Sequence, residues 1–216
     1  MNIDINQINN PDPQKRKRTF LVVIAVFFLA FAYAVIRYVV IGPYDINAIP
    51  LFIMNKAFAF SFVILLFIVN LHQIQSLDRA LLGLMIYSMA ILHLLLSAVL
   101  LPTTFFKTIF NSEGEILFSG ASMVLFGIIT FIFTVLISKV FFRAVKDMDY
   151  GGSFKFEKLF FVFLTFLGLH LSVFHATRWF DVDSWYGHLP PISLLSFLFV
   201  LATAFQFFKY VFHKEK

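Results

Sequence analysis

Six long apolar stretches, separated by short polar segments, dominate the pattern of hydrophobic and polar positions along the chain. They run approximately over 19–41, 51–71, 77–101, 116–138, 158–178 and 192–211. Each is close to the ~20 residues that a helix needs to cross the ~30 Å hydrocarbon core of a bilayer. Several contain runs that are hydrophobic on all sides, which is typical of buried or lipid-facing helices. The pattern predicts an all-α, polytopic membrane protein, a six-transmembrane-helix bundle over residues 19–211 with short tails at 1–18 and 212–216.

The first stretch also resembles a signal peptide, because the basic cluster 15–18 precedes an apolar run with alanines at 30, 32 and 34. The apolar core of a signal peptide is usually only about 7–15 residues long. Here the apolar run continues past Tyr38 to Ile41. We therefore predict a retained helix.

Composition excludes a soluble globular domain and several kinds of cofactor chemistry. Hydrophobic residues make up 60% of the 216 residues and charged residues only 13%, which is about half the charge of a soluble domain. There is no cysteine. Iron–sulfur clusters, thiolate-ligated haem and cysteine-containing zinc sites are therefore excluded, and a metal has to be held by histidine, carboxylate or carbonyl groups.

The net charge of +5 is explained by where the basic residues fall between the stretches. If six helices alternate, one side receives a large excess of basic residues: the cluster 15–18, Arg79, the five cations at 139, 143, 146, 155 and 158, and the lysines at 209, 214 and 216. The positive-inside rule assigns that side to the cytoplasm. We predict a multi-pass protein of the cell membrane with both termini cytoplasmic, in contact with lipid and with no nucleic-acid partner.

Two of the six histidines, His93 and His170, lie deep within apolar stretches. Such residues either carry a function or form a hydrogen bond between packed helices, and either histidine alone fits both readings. His93 lies 14 residues beyond Arg79 and His170 lies 12 beyond Lys158, or ~21 and ~18 Å of helix rise from the predicted inner ends. The two imidazoles are thus expected at one level in the outer half of the membrane. Two neutral imidazoles suit the axial positions of a haem iron.

The third stretch also carries a family resemblance. Asp78-Arg79-Ala80-Leu81-Leu82-Gly83-Leu84, followed by Tyr87 and Ile91-Leu92-His93, resembles the third helix of the ferric reductase-like transmembrane family, especially its haem-binding membrane subunits of bacterial methionine sulfoxide reductase systems. Asn55-Lys56-Ala57 and the segment from Glu157-Lys158-Leu159 to His170 fit that family more loosely. The resemblance covers most of the chain from about residue 50.

The resemblance implies a six-helix b-type cytochrome that passes electrons across the membrane, a component of an oxidoreductase, with His93 and His170 as haem ligands. The family usually has a further histidine near the inner end of its fifth helix, where this chain has Glu157. We therefore expect one haem b per chain. The cationic inner loops, with Arg79, are predicted to hold an anionic carrier, preferably a flavin through its phosphate. Their alternative role is to set the topology alone.

Three cations near the predicted outer helix ends, Arg37, Lys56 and Arg178, have two interpretations. They reach the lipid headgroups, or one of them pairs with haem propionates. A metal site made from His175, Asp181, Asp183 and His188 matches no specific spacing and is not favoured. Expected partners are an electron-donor or electron-acceptor protein, or a quinol. The alternative function is a non-redox membrane protein, a small transporter or an assembly subunit, with structural histidines within the membrane.

Overall fold

Six long helices form an all-α bundle in the part of the chain that the structure describes. A computed structural model describes residues 12–44, 49–71, 76–101, 109–147, 153–173 and 175–214, and no β-strand occurs in these ranges. The long helices are α1 (Pro13–Val35, continued by a π-helical turn over Ile36–Val40), α2 (Pro50–Asn70), α3 (Arg79–Leu100), α4 (Phe118–Asp147), α5 (Ser153–Ser172) and α6 (Ile192–Lys214). A short helix, Ala176–Trp179, and two 3₁₀ turns lie between α5 and α6.

Five helices of the described chain are long and apolar enough to cross a membrane. The corresponding spans are Pro13–Val40, Pro50–Asn70, Arg79–Leu100, Phe118–Val140 and Tyr186–Lys209. The first includes the π-helical turn after α1, and the last includes the 3₁₀ turn before α6. The all-α membrane bundle predicted from the sequence is therefore confirmed.

Helix α5 corresponds to the fifth predicted span and is not among these five. Its first turns contain Lys155, Glu157 and Lys158, and it ends at Ser172, so its charge-free part is shorter than the ~20 residues of a full crossing. The count of six spans stays a prediction, and the predicted end of this helix at Arg178 is wrong by six residues.

Helix α1 begins at Pro13, six residues before the predicted span. The Asp12 side chain caps it by accepting a hydrogen bond from the Gln14 backbone N–H at 2.8 Å, and Pro13 at the first helical position needs no such partner. The basic cluster 15–18 is therefore helical and not part of an extended tail. Thr19, fully buried, accepts a hydrogen bond from the Asp78 backbone N–H at 2.9 Å and so ties α1 to the start of α3.

Helix α2 is the centre of the bundle. It packs against α1, α3 and α6, whereas α5 packs against α4 and α6. Half of the α2 span is buried, compared with 17% of α3 and 11% of the α4 span. Helices α3 and α4 meet along only a short stretch, and α3 and α5 are not direct packing neighbours. The region between α3 and α5 is therefore bordered by α2 on one side and by α4 on another.

Several sequence predictions lie outside the described residues. These are the first eleven residues of the N-terminal tail and the last two residues of the chain. The side chains of Arg143, Lys146 and Lys155, which the sequence assigned to the cationic inner loops, are also outside that part.

Candidate functional site

His93 is held by a neighbouring helix through one ring nitrogen. Its Nδ1 lies 2.6 Å from the Oδ1 of Asn55 on α2. Asn55 is only 1% exposed, and its Nδ2 donates to Ser97 Oγ at 3.2 Å, one turn beyond His93 on α3. Because an amide oxygen can only accept, this arrangement places the proton of His93 on Nδ1.

His170 is also held at Nδ1, but by the backbone. This nitrogen lies 2.8 Å from the carbonyl oxygen of Met123 on α4, so the imidazole donates. The ring lies against Gly127, one turn further along α4. A Cβ atom at Gly127 would be 3.0 Å from both Cε1 and Nδ1 of the imidazole, which is closer than nine in ten real contacts of this kind. A glycine at this position therefore makes room for the ring.

Both histidines lie at the same end of the bundle. Asn55 and Met123 each lie five residues after the start of their helices, ~8 Å along the axis, while His93 lies seven residues before the end of α3, ~10 Å. His170 lies in the last turn of α5. Because α2 and α4 run opposite to α3 and α5, all four residues are near one common level.

The second ring nitrogen of each histidine, Nε2, is the atom through which it could bind a metal. Within the part of the chain that the structure describes, neither Nε2 has a hydrogen-bond partner. A neutral imidazole fixed as the Nδ1–H tautomer has the lone pair of Nε2 available, which is how protein histidines commonly bind metals. The donor set of the two histidines thus suits a group that takes one nitrogen from each of them.

The two histidines lie on helices that are not among the closely packed pairs of the bundle. Directly packed helices have axes about 8–10 Å apart, which leaves no room for an iron between two imidazoles. The two histidines instead belong to α3 and α5, which do not pack directly on each other. Each is oriented by a different neighbour, α2 for His93 and α4 for His170.

Three cations that the sequence predicts as possible cofactor partners lie on three different helices. Lys56 follows Asn55 and lies with its Nζ 5.1 Å from the centre of the Phe52 ring. Arg178 is exposed on the short helix after α5. Arg79 is the first residue of α3, ~21 Å of helix rise from His93.

Arg37 does not extend toward lipid headgroups, which was one of its two interpretations. It is 5% exposed and donates through Nη1 to the backbone carbonyl of Leu189, while its guanidinium lies 5.4 Å from the Tyr186 ring centre. Nearby, the Tyr33 hydroxyl donates to the carbonyl of Pro190 at 2.6 Å. Arg37 and Tyr33 therefore anchor the loop before α6 to α1.

Among the described residues, no group of three or more His, Asp or Glu side chains lies close enough to hold a metal ion. The four-residue site that the sequence did not favour, His175 with Asp181, Asp183 and His188, is accordingly not formed. This finding concerns sites with three or more such ligands. A haem iron takes only two axial ligands from the protein.

Sequence reasoning singled out His93 and His170 but assigned no role to the residues that orient them. In the sequence, Asn55 belongs only to the looser part of the family resemblance, and no sequence pattern marks Ser97, Met123 or Gly127. A usable signal was present for Asn55, since an amide inside an apolar span needs a hydrogen-bond partner. No family model matches the chain, and a search of curated proteins finds no match either.

Proposed function

We propose that this chain is a membrane cytochrome that holds one b-type haem between His93 and His170 and passes electrons across the membrane. The observation that carries the proposal is the hydrogen bonding of the two imidazoles, which follows the same pattern at both histidines. Each is fixed through Nδ1 by a protein oxygen, and each has an Nε2 without a partner among the described residues. A haem held there would supply a one-electron carrier.

The surrounding residues favour a low-spin centre with two histidine ligands. Both rings are part-buried in an apolar bundle, and the chain has no cysteine to act as an alternative axial ligand. The motif from Asp78 to His93, which resembles the third helix of the ferric reductase-like family, supports the same assignment. The chemistry of the two rings and the motif together make a haem protein our preferred class.

The route on the cytoplasmic side requires a second carrier or a partner. His93 is ~21 Å of helix rise from Arg79 at the predicted inner end of α3, and Glu157 occupies the inner part of α5. Neither side chain is a ligand for haem iron. We propose that the inner end, with the cationic residues Arg79 and Lys158, receives electrons through a bound flavin, a partner protein or a quinol.

The orientation that we propose places the histidines near the outer face of the cell membrane. It rests on the excess of lysine and arginine at the opposite helix ends, beginning with the cluster 15–18 on α1. Both chain termini are then cytoplasmic.

The alternative is a non-redox membrane protein, such as a small transporter or an assembly subunit. It is favoured by the fact that each imidazole already joins two helices, α3 to α2 and α5 to α4. Interhelical hydrogen bonds of this kind contribute on average only about 0.6 kcal/mol in membranes. In a protein of this class the histidines would therefore be replaceable without loss of function.

Haem content of the purified full-length protein separates the two classes. We expect a Soret band and about one haem per chain after saturation with haemin, and loss of the band in both His93→Ala and His170→Ala. His188→Ala is the matched control, because His188 is exposed in the outer loop. A wild-type protein without a haem spectrum, or two single variants with normal spectra, would refute the proposal. A value near two haems per chain would refute the single site, and flavin released on denaturation of the same sample would support the inner carrier.

A further inference from the structure

Asn55 is a buried polar residue on α2, whose span is the most buried of the five candidate membrane spans. It is 1% exposed on the central helix α2, where it lies between the buried residues Ile53 and Ala57. A buried amide is costly unless it is hydrogen bonded. Both ends of this amide are engaged. The oxygen lies 2.6 Å from Nδ1 of His93 and 3.3 Å from Oγ of Ser97, and the nitrogen lies 3.2 Å from the same hydroxyl.

We propose that Asn55, supported by Ser97, is the positioning residue that sets the tautomer of His93 and thereby its strength as an iron ligand. This inference rests on the proposed haem site. With Oδ1 toward the ring, Nδ1 carries the proton and the lone pair of Nε2 is available. If the amide were reversed, its NH₂ group would face Nδ1, the ring proton would move to Nε2, and that nitrogen would be unable to bind iron.

The contact between Asn55 and His93 is expected to tune the strength of His93 as an iron ligand. The reason is that the hydrogen-bond partner at the non-ligating nitrogen of a histidine controls the basicity of the ring. A stronger acceptor at Nδ1 makes the imidazole a better donor to the metal and favours the higher oxidation state. His170 has a backbone carbonyl in the equivalent place. Substitution can therefore change the Nδ1 acceptor at His93 but not at His170.

Two substitutions of Asn55 separate an effect on His93 as an iron ligand from an effect on the stability of the fold. Asn55→Leu removes the acceptor and is expected to weaken haem retention by about 10–100-fold, the usual effect of losing such a partner. Asn55→Asp keeps an acceptor and strengthens it, so it is expected to retain haem with a more negative reduction potential. A tenfold change in the ratio of ferric to ferrous affinity corresponds to about 59 mV for one electron. Asn70→Leu is the control, since Asn70 lies on the same helix and bonds only to its own turn at Leu66.

A measurement without haem reports the tautomer directly. Histidine-selective ¹⁵N NMR of the full-length apoprotein in lipid nanodiscs, assigned with His93→Ala, is expected to show His93 as the Nδ1–H form. In Asn55→Leu the signal is expected to shift toward a mixture of tautomers, while Asn70→Leu leaves it unchanged.

The outcomes distinguish this inference from the proposed function. If the wild type binds haem and Asn55→Leu retains normal haem affinity, potential and His93 tautomer, the positioning role is wrong while the haem site stands. An unchanged potential in Asn55→Asp with haem retained would also contradict it. A wild-type protein that binds no haem overturns both proposals.

Discussion

The surroundings of His93 and His170 differ in the kind of group that holds each ring. At His93 the acceptor is the side chain of Asn55, which Ser97 supports from the same helix as the histidine. At His170 the acceptor is the backbone carbonyl of Met123. The ring fits against α4 because Gly127 has no side chain. The first arrangement depends on side-chain chemistry, and the second depends on the path of the backbone.

This difference indicates which substitutions affect each histidine. A backbone carbonyl keeps its position as long as α4 keeps its place against α5, so His170 is sensitive to the volume between these helices. His93 is sensitive to the identity of two polar side chains. The two rings are thus expected to respond to different classes of change even though they have the same proposed role.

Gly127→Ala is expected to have the largest effect, because it places a methyl group 3.0 Å from the His170 imidazole. Overpacking of this kind costs about 1–3 kcal/mol. We expect the ring to be displaced and haem to be lost, with the contact between Asn55 and His93 retained. Haem absorbance and thermal unfolding of the purified variant measure the two consequences.

Gly83→Ala on α3 is the matched control, since no atom lies within 4 Å of its added methyl group. It is expected to leave the haem spectrum unchanged and to stabilise the helix by up to about 1 kcal/mol. A Gly127→Ala protein with a normal spectrum would show that the close contact with His170 does not determine the ring position.

Ser97→Ala is expected to have a smaller effect. It removes a hydroxyl that lies within hydrogen-bond distance of both the nitrogen and the oxygen of the Asn55 amide, but leaves the contact between the Asn55 oxygen and His93. A single interhelical hydrogen bond contributes about 0.6 kcal/mol in membranes, which corresponds to roughly a threefold loss of haem affinity. Titration of the purified variant with haem measures this loss of affinity.

The control for Ser97→Ala is Ser88→Ala, because Ser88 lies on the same helix and bonds only to the Leu84 carbonyl of its own turn at 2.9 Å. We expect no change in haem affinity for this variant. Equal effects of the two serine substitutions would remove Ser97 from the support of Asn55.

The membrane bundle was predictable because its signal is contained in continuous stretches of sequence. The all-α class follows from runs long enough to span a bilayer, and the structure confirms it with five such helices. The start of α1 was missed because the polar segment before Thr19 has no apolar periodicity. Its helical state depends instead on the Asp12 cap and on Pro13.

The surroundings of the histidines were less predictable, because they depend on which helices are neighbours. The helix rise per residue predicts that His93 and His170 lie at a common depth. It does not predict which helices pack beside them. That α2 faces His93 and α4 faces His170 is set by tertiary packing, which no local pattern encodes. The same reason explains Arg37, whose burial against the loop carrying Leu189 involves residues far apart in sequence.

The most direct test of the proposed haem site is electron paramagnetic resonance of the ferric protein at low temperature. Iron with an imidazole on each side is expected to give a low-spin spectrum. In His93→Ala and in His170→Ala, any haem that remains is expected to become high-spin, because one axial position no longer has an imidazole. A wild-type protein with no haem signal, or with a high-spin signal that neither substitution alters, would contradict the assignment of these two histidines as the ligands.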